Sequence, residues 1–101
     1  HVMWRLDKNW KALRSECPWL TRQPSEVIKE HFRITTQPIE EPDNDQHLLQ
    51  LFEMMGADRM LMFASDYPHW DFDSPQQAFP RLPAALKQRI FAGNARELYG
   101  L

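Results

Sequence analysis

Cysteine is almost missing from this chain. Cys17 stands alone among 101 residues, so no internal disulfide can form. A lone thiol fits a reducing, cytoplasmic setting, and Cys17 reads as a small apolar side chain rather than a nucleophile. Long hydrophobic runs are missing too: no stretch approaches the ~20 apolar residues that span a bilayer. The N-terminus shows no secretory signal pattern. Net charge is slight, at -2, which offers no general attraction to nucleic acid or an anionic membrane, and neither is expected as a partner. There is no internal repeat and no low-complexity tract. The chain opens on His1 rather than Met, which suggests a vector remnant or a cut within a longer protein.

What is present belongs to a soluble globular protein. The composition is 43% hydrophobic and 26% charged, and four Trp and six Phe supply apolar bulk to bury. Met3, Leu6, Trp10 and Leu13 recur at helical spacing and predict an amphipathic helix ending near Cys17-Pro18. Pro24-Ser25-Glu26 predicts a second, short helix with Ser25 as its cap. Phe32 to Thr36 is rich in β-formers and stops at Gln37-Pro38, which reads as a strand. Pro38 to Asp45 holds two prolines and four acids and reads as a loop.

Next comes a stronger helix, with Asp45 as expected cap, Leu48, Leu49, Phe52 and Met55 on one face, and Gly56 at the left-handed stop. The apolar run Met60 to Ala64 is too short for a helix and shows no polar alternation, so it is expected to be a strand buried on both faces. Ser74, Pro75 and Gln77 match a capping box and predict another helix, with Leu82, Leu86 and Ile90 as its stripe. Gly93-Asn94 should break it before a last helical turn or two. Two parallel strands joined by a helix make a βαβ unit, so the fold class is α/β.

Asp66 is the residue this ordering singles out. It directly follows the second strand, at the carboxyl end where open α/β sheets and closed barrels bind ligands. Aspartate before Pro68 is also a common turn residue, and position alone leaves both roles open. His69, three residues on, either lines a pocket or bonds within the turn, while Trp70 is placed to cover the mouth of the site. Gln37 and Glu40 lie at the carboxyl end of the first strand, on the side suited to substrate contact, though Glu40 and Glu41 also suit a solvated acidic loop. His31 falls at the amino end of a strand, and His47 in the first turn of a helix.

The stretch "GADRMLMFASDYPHWD", followed by "IFAGNARELYGL", resembles the end of the metal-dependent amidohydrolase-related proteins. The resemblance is to their TIM-barrel hydrolases and non-oxidative decarboxylases of the aminocarboxymuconate-semialdehyde and resorcylate type. "PSEVIKEHFRITTQPIEEP" resembles that branch's penultimate strand and following loop, so the likeness covers nearly the whole chain, with Ser65 to His69 its most specific part. It implies a single partial domain over residues 1–101: the C-terminal third of a (β/α)8 barrel, with about two parallel strands and flanking helices.

The resemblance further implies that Asp66 ligates a divalent metal, Zn²⁺ or Mn²⁺, or takes a proton from the water that the metal activates. His69, Trp70 and Gln37 would meet a small carboxylated or cyclic substrate. The family's other ligands include a His-x-His pair, whereas His1, His31, His47 and His69 form no such pattern. The chain alone is therefore expected to be inactive. An alternative reading is a non-catalytic α/β segment that folds by self-association. Two strands cannot close a barrel, so apolar faces and open edges should drive a homo-oligomer.

Overall fold

The computed structural model describes residues 1–101, which divide into two compact units, His1–Phe32 and Arg33–Leu101.

In the first unit, α1 (Val2–Ala12) is followed by a 3₁₀ turn (Arg14–Glu16) and α2 (Pro24–His31). The α-helix thus ends earlier than the apolar spacing predicts, and the 3₁₀ turn occupies part of the stretch toward Cys17. Neither helix has a fully buried residue. They are joined instead by polar contacts. The Trp10 indole donates to the Leu20 carbonyl at 3.0 Å, and the Arg14 guanidinium lies 4.6 Å from the Trp10 ring centroid. Ser25 does not cap α2. Gln23 is the cap residue, without a side-chain bond, and Pro24 opens the helix. The free Ser25 amide donates to the Asp7 carboxylate of α1 at 2.9 Å. The Ser25 side-chain hydrogen bond first, and this backbone one second, hold the Asp7 carboxyl below the usual carboxylate range, as expected of a charge beside helix-end donors.

The second unit is the α/β part. β1 (Ile34–Thr35) pairs in parallel with β2 (Leu61–Met62), with Ile34 opposite Leu61 and Thr35 opposite Met62. The pair is an open two-stranded sheet. Between the strands runs α3 (Asp45–Met55), whose cap is Asn44 rather than Asp45: its side-chain oxygen accepts the Gln46 amide at 2.9 Å. Asp45 becomes the first helical residue, where its charge suits the helix dipole. Gly56 ends the helix at φ 78°, and its amide reaches the carbonyls of Phe52 and Glu53.

A single turn, α4 (Ala57–Met60), takes up Met60, so only Leu61 and Met62 of the apolar run become strand. Leu61 is buried while Met62, Phe63 and Ala64 are half-buried, so the run is not closed over on both faces as expected.

The helix predicted from Ser74 does not form. The Ser74 carbonyl accepts the amides of Gln77 and Ala78, closing one turn, and Pro80 and Pro83 then block continuation. The helix starts beyond them, as α5 (Ala84–Gln88), and passes through a π-helical stretch (Arg89–Gly93) into α6 (Asn94–Tyr99). Gly93 and Asn94 do not break it, for both have helical angles, and the Asn94 amide reaches back to the Arg89 carbonyl. Ile90 and Asn94, four residues apart and so on one face, are the two largest fully buried side chains. The Asn94 amide nitrogen donates to the carbonyls of Ala57 at 3.2 Å and Leu61 at 2.7 Å, which explains its burial. Around this clamp lies the core of Leu48, Phe52, Ala57, Leu61, Leu82 and Ile90. Phe63 and Phe91 stack beside it at 4.7 Å, and Phe79 meets Phe52, Phe63 and Phe91 edge-on.

Candidate functional site

Parallel pairing brings the carboxyl ends of β1 and β2 to the same edge. Thr36, 2% exposed, fastens them. Its amide donates to the Met62 carbonyl at 3.0 Å. Its hydroxyl accepts the Ala64 amide at 3.1 Å and faces the Ala64 carbonyl at 3.4 Å. This residue escaped the sequence reading. A threonine closing a β-rich run was its only local signal.

Beyond Ala64 the chain folds into a loop that closes on itself. The Asp73 amide reaches the Ser65 carbonyl at 2.8 Å, the His69 amide reaches the Asp66 carbonyl at 2.8 Å, and the Tyr67 amide reaches the Ser65 hydroxyl at 3.3 Å. The Tyr67-Pro68 and Gln37-Pro38 peptides are both cis. Asp73 anchors this loop through its amide, and one of its carboxylate oxygens is buried without a hydrogen-bond partner. Asp66 has φ 57°, the one left-handed residue other than glycine. Aspartate tolerates that conformation better than most side chains, and it leaves the Asp66 carboxylate exposed beside the loop.

Three side chains converge here. The Asp66, His69 and Asp71 donor atoms all lie within 4.8 Å of one another, and all three residues are exposed. His69 Nδ1 sits 2.5 Å from Asp71 Oδ1 and 3.6 Å from Asp66 Oδ2. The hydrogen bond to Asp71 raises the His69 pKa above that of a free imidazole, outweighing the opposing effect of desolvation, with the charges of Asp71 and Asp66 adding to the rise. The same bond lowers the Asp71 carboxyl. One imidazole nitrogen and two carboxylate oxygens suit a borderline or hard cation such as zinc or manganese. The donor chemistry therefore fits a divalent metal. Three donors are fewer than the four of a closed zinc site.

The other expected site residues fall around this cluster unevenly. Gln37 reaches it: its side-chain amide donates to the Asp71 carbonyl at 2.8 Å and ties the end of β1 to the loop. Trp70 is 86% exposed, with its ring 6.0 Å from the His69 imidazole. Glu40 and His47 are exposed, and His31 lies 3.8 Å from Glu30. Asp71, the partner of His69, was not among the expected site residues. Its part depends on a turn that returns it to the imidazole.

A sequence model of one protein family, described as amidohydrolase, matches residues 2–101. No curated protein matches the chain.

Proposed function

The chain belongs to the amidohydrolase family, and we propose that it is the C-terminal part of a metal-dependent enzyme that hydrolyses or non-oxidatively decarboxylates a small carboxylated or cyclic substrate. The observation that carries this reading is the placement of Asp66: past the carboxyl end of β2, exposed, with His69 and Asp71 donors within 4.8 Å. In a parallel α/β sheet that edge is where catalytic side chains gather. Asp66 would hold a Zn²⁺ or Mn²⁺ ion together with ligands from elsewhere in the barrel, with the His69 imidazole beside it. When bound, such an ion activates water and polarises substrate oxygens.

The chain's own residues would do the rest. Asp66, beside the ion, can take up a proton. Asp71 fixes the imidazole through Nδ1, leaving Nε2 to meet a substrate oxygen. Gln37 holds the loop through the Asp71 carbonyl, and the open face of Trp70 can cover an apolar part of the substrate. The single half-buried thiol, Cys17, which contacts the Leu13 carbonyl, accords with a cytoplasmic protein. No helix is long and apolar enough to cross a membrane.

The test is Asp66→Asn in a protein that supplies the remaining barrel strands. Asparagine tolerates a positive φ almost as well as aspartate, so folding should be kept while turnover is lost. Near-normal turnover would remove Asp66 from the mechanism.

A second reading, a non-catalytic segment that self-associates, draws support from the outer edge of β1, which pairs with no further strand. Ile34, Leu51 and Met54 are each at least 40% exposed. At roughly 25 cal/mol per Å², covering such surface in a homo-oligomer would recover several kcal/mol. Sedimentation at micromolar concentration tests this: a homo-oligomer is expected, and a well-folded monomer would contradict it.

A further inference from the structure

A cavity of about 650 Å³ opens between the 75–83 loop and α5, and no residue of the Asp66 cluster lines it. Its volume lies within the range of small-molecule pockets. Its floor is the edge-on pair Phe79 and Phe91, whose centroids are 5.7 Å apart. Pro75, Pro80 and Pro83 frame it with backbone whose φ is already fixed, so little ordering is needed to form the walls.

The two charged residues that line this cavity, Arg81 and Lys87, are both cations. No Asp or Glu occurs between Asp73 and Glu97, whereas Arg81, Lys87 and Arg89 all do. Arg89 is already engaged, with Glu97 at 2.7 Å and the Asp58 carbonyl at 2.8 Å. Arg81 and Lys87, both lining the cavity, take part in none of the chain's ion pairs. The Lys87 ammonium rests 5.5 Å from the Phe91 ring centroid, a weak substitute for an anion at an exposed site. Gln76 at the rim accepts from the Ser74 hydroxyl through Oε1, so its NH₂ group still has protons to donate.

We propose that this cavity binds a small organic anion: a carboxylate held by Arg81, Lys87 and Gln76, with an apolar or aromatic body lying on Phe79 and Phe91. Charge complementarity selects the anion, and the aromatic floor selects an apolar body over a bare inorganic ion. The site is independent of Asp66 and of any metal.

The experiment is an amide NMR titration of the whole chain with 4-phenylbutyrate, with 4-phenylbutyramide and acetate as comparisons. Saturable shifts confined to residues 75–91 are expected with phenylbutyrate. The amide, which lacks the charge, should bind about tenfold more weakly, the scale of one charge-assisted contact. Replacing both cations, Arg81→Gln with Lys87→Gln, should weaken phenylbutyrate by at least as much. The exchange Arg81→Lys with Lys87→Arg should preserve binding, and unchanged peaks of the core residues Leu48 and Leu61 would show both variants folded. No saturable shift at millimolar ligand, equal binding of the amide, or shifts centred on residues 66–71 would each overturn the proposal.

Discussion

Replacing Asn94 should cost the chain more than its place in a Gly-Asn pair would lead one to expect. The side chain is 1% exposed, and its Nδ2 donates to two buried carbonyls, those of Ala57 and Leu61. In Asn94→Ala the Ala57 carbonyl keeps the Leu61 amide as a donor, so the main loss falls on the Leu61 carbonyl. A buried group left unsatisfied costs about 1–3 kcal/mol, and the small cavity adds about 1 kcal/mol. Removing Oδ1, which is buried without a partner, returns part of this, so the net loss should be about 2 kcal/mol. Asn94→Asp should be worse. It places a second oxygen where the donor stood, facing two carbonyls. With a urea slope of about 1–2 kcal/mol/M, the midpoint for Asn94→Ala should fall by ~1–2 M, read from the amide peaks of residues 33–101. Exposed Asn9→Ala should stay within ~0.5 kcal/mol of the parent chain. If Asn94→Ala also stayed within that margin, or if Asn94→Asp were no worse than Asn94→Ala, the clamp would not be what secures this helix.

Two further outcomes concern protons. Asp71→Asn should bring the His69 pKa back toward that of a free imidazole, measured from the ring carbon shifts, because the Asp71 hydrogen bond is the first cause of its elevation. His69 is raised in the folded chain, so its contribution to stability is complete below the unfolded pKa and is lost as pH rises through the folded one; a His69 that titrates unchanged in Asp71→Asn would contradict this. Asp7 runs the other way. Its lowered carboxyl contributes above the unfolded value of 3.8 and loses that contribution as pH falls through the folded value. Asp7→Asn should therefore flatten the acid dependence of the α1 and α2 signals while leaving those of residues 33–101 alone.

Legibility followed the range over which each signal acts. The α3 helix with its Gly56 stop and the positions of the two strands were readable because each depends on neighbouring residues, though both strands are shorter than expected and Asp66 lies four residues beyond the end of β2 rather than directly after it. Capping was readable only loosely: Asn44 rather than Asp45 caps α3, a shift of one position between two good capping residues. The Ser74 box had the right residues for a helix start, but Pro80 and Pro83 lay within the next turns and carried more weight. The remaining misses depend on partners distant in sequence. Ser25 has the look of a cap, yet Asp7, 18 residues earlier, takes its amide. Asn94 has the look of a breaker, yet carbonyls more than 30 residues away hold it inside a helix. At the site, Asp66 was visible as a carboxylate beyond a strand end. The approach of His69 to Asp71, and the reach of Gln37 across 34 residues to the same loop, depend on how the loop closes.

In the proposed function, Asp66 directs this face of the chain toward a divalent cation, as one ligand of a set completed elsewhere. Paramagnetic broadening by Mn²⁺ tests it most directly. The chain should bind Mn²⁺ weakly, with amide broadening centred on residues 65–71 and lost in Asp66→Asn. The exposed acids Glu40, Glu41, Asp43 and Asp45 serve as an internal control, since a cation drawn by charge alone would collect there. A tight stoichiometric site in the chain, broadening centred on that acidic loop, or broadening at residues 65–71 that survives Asp66→Asn would contradict the account.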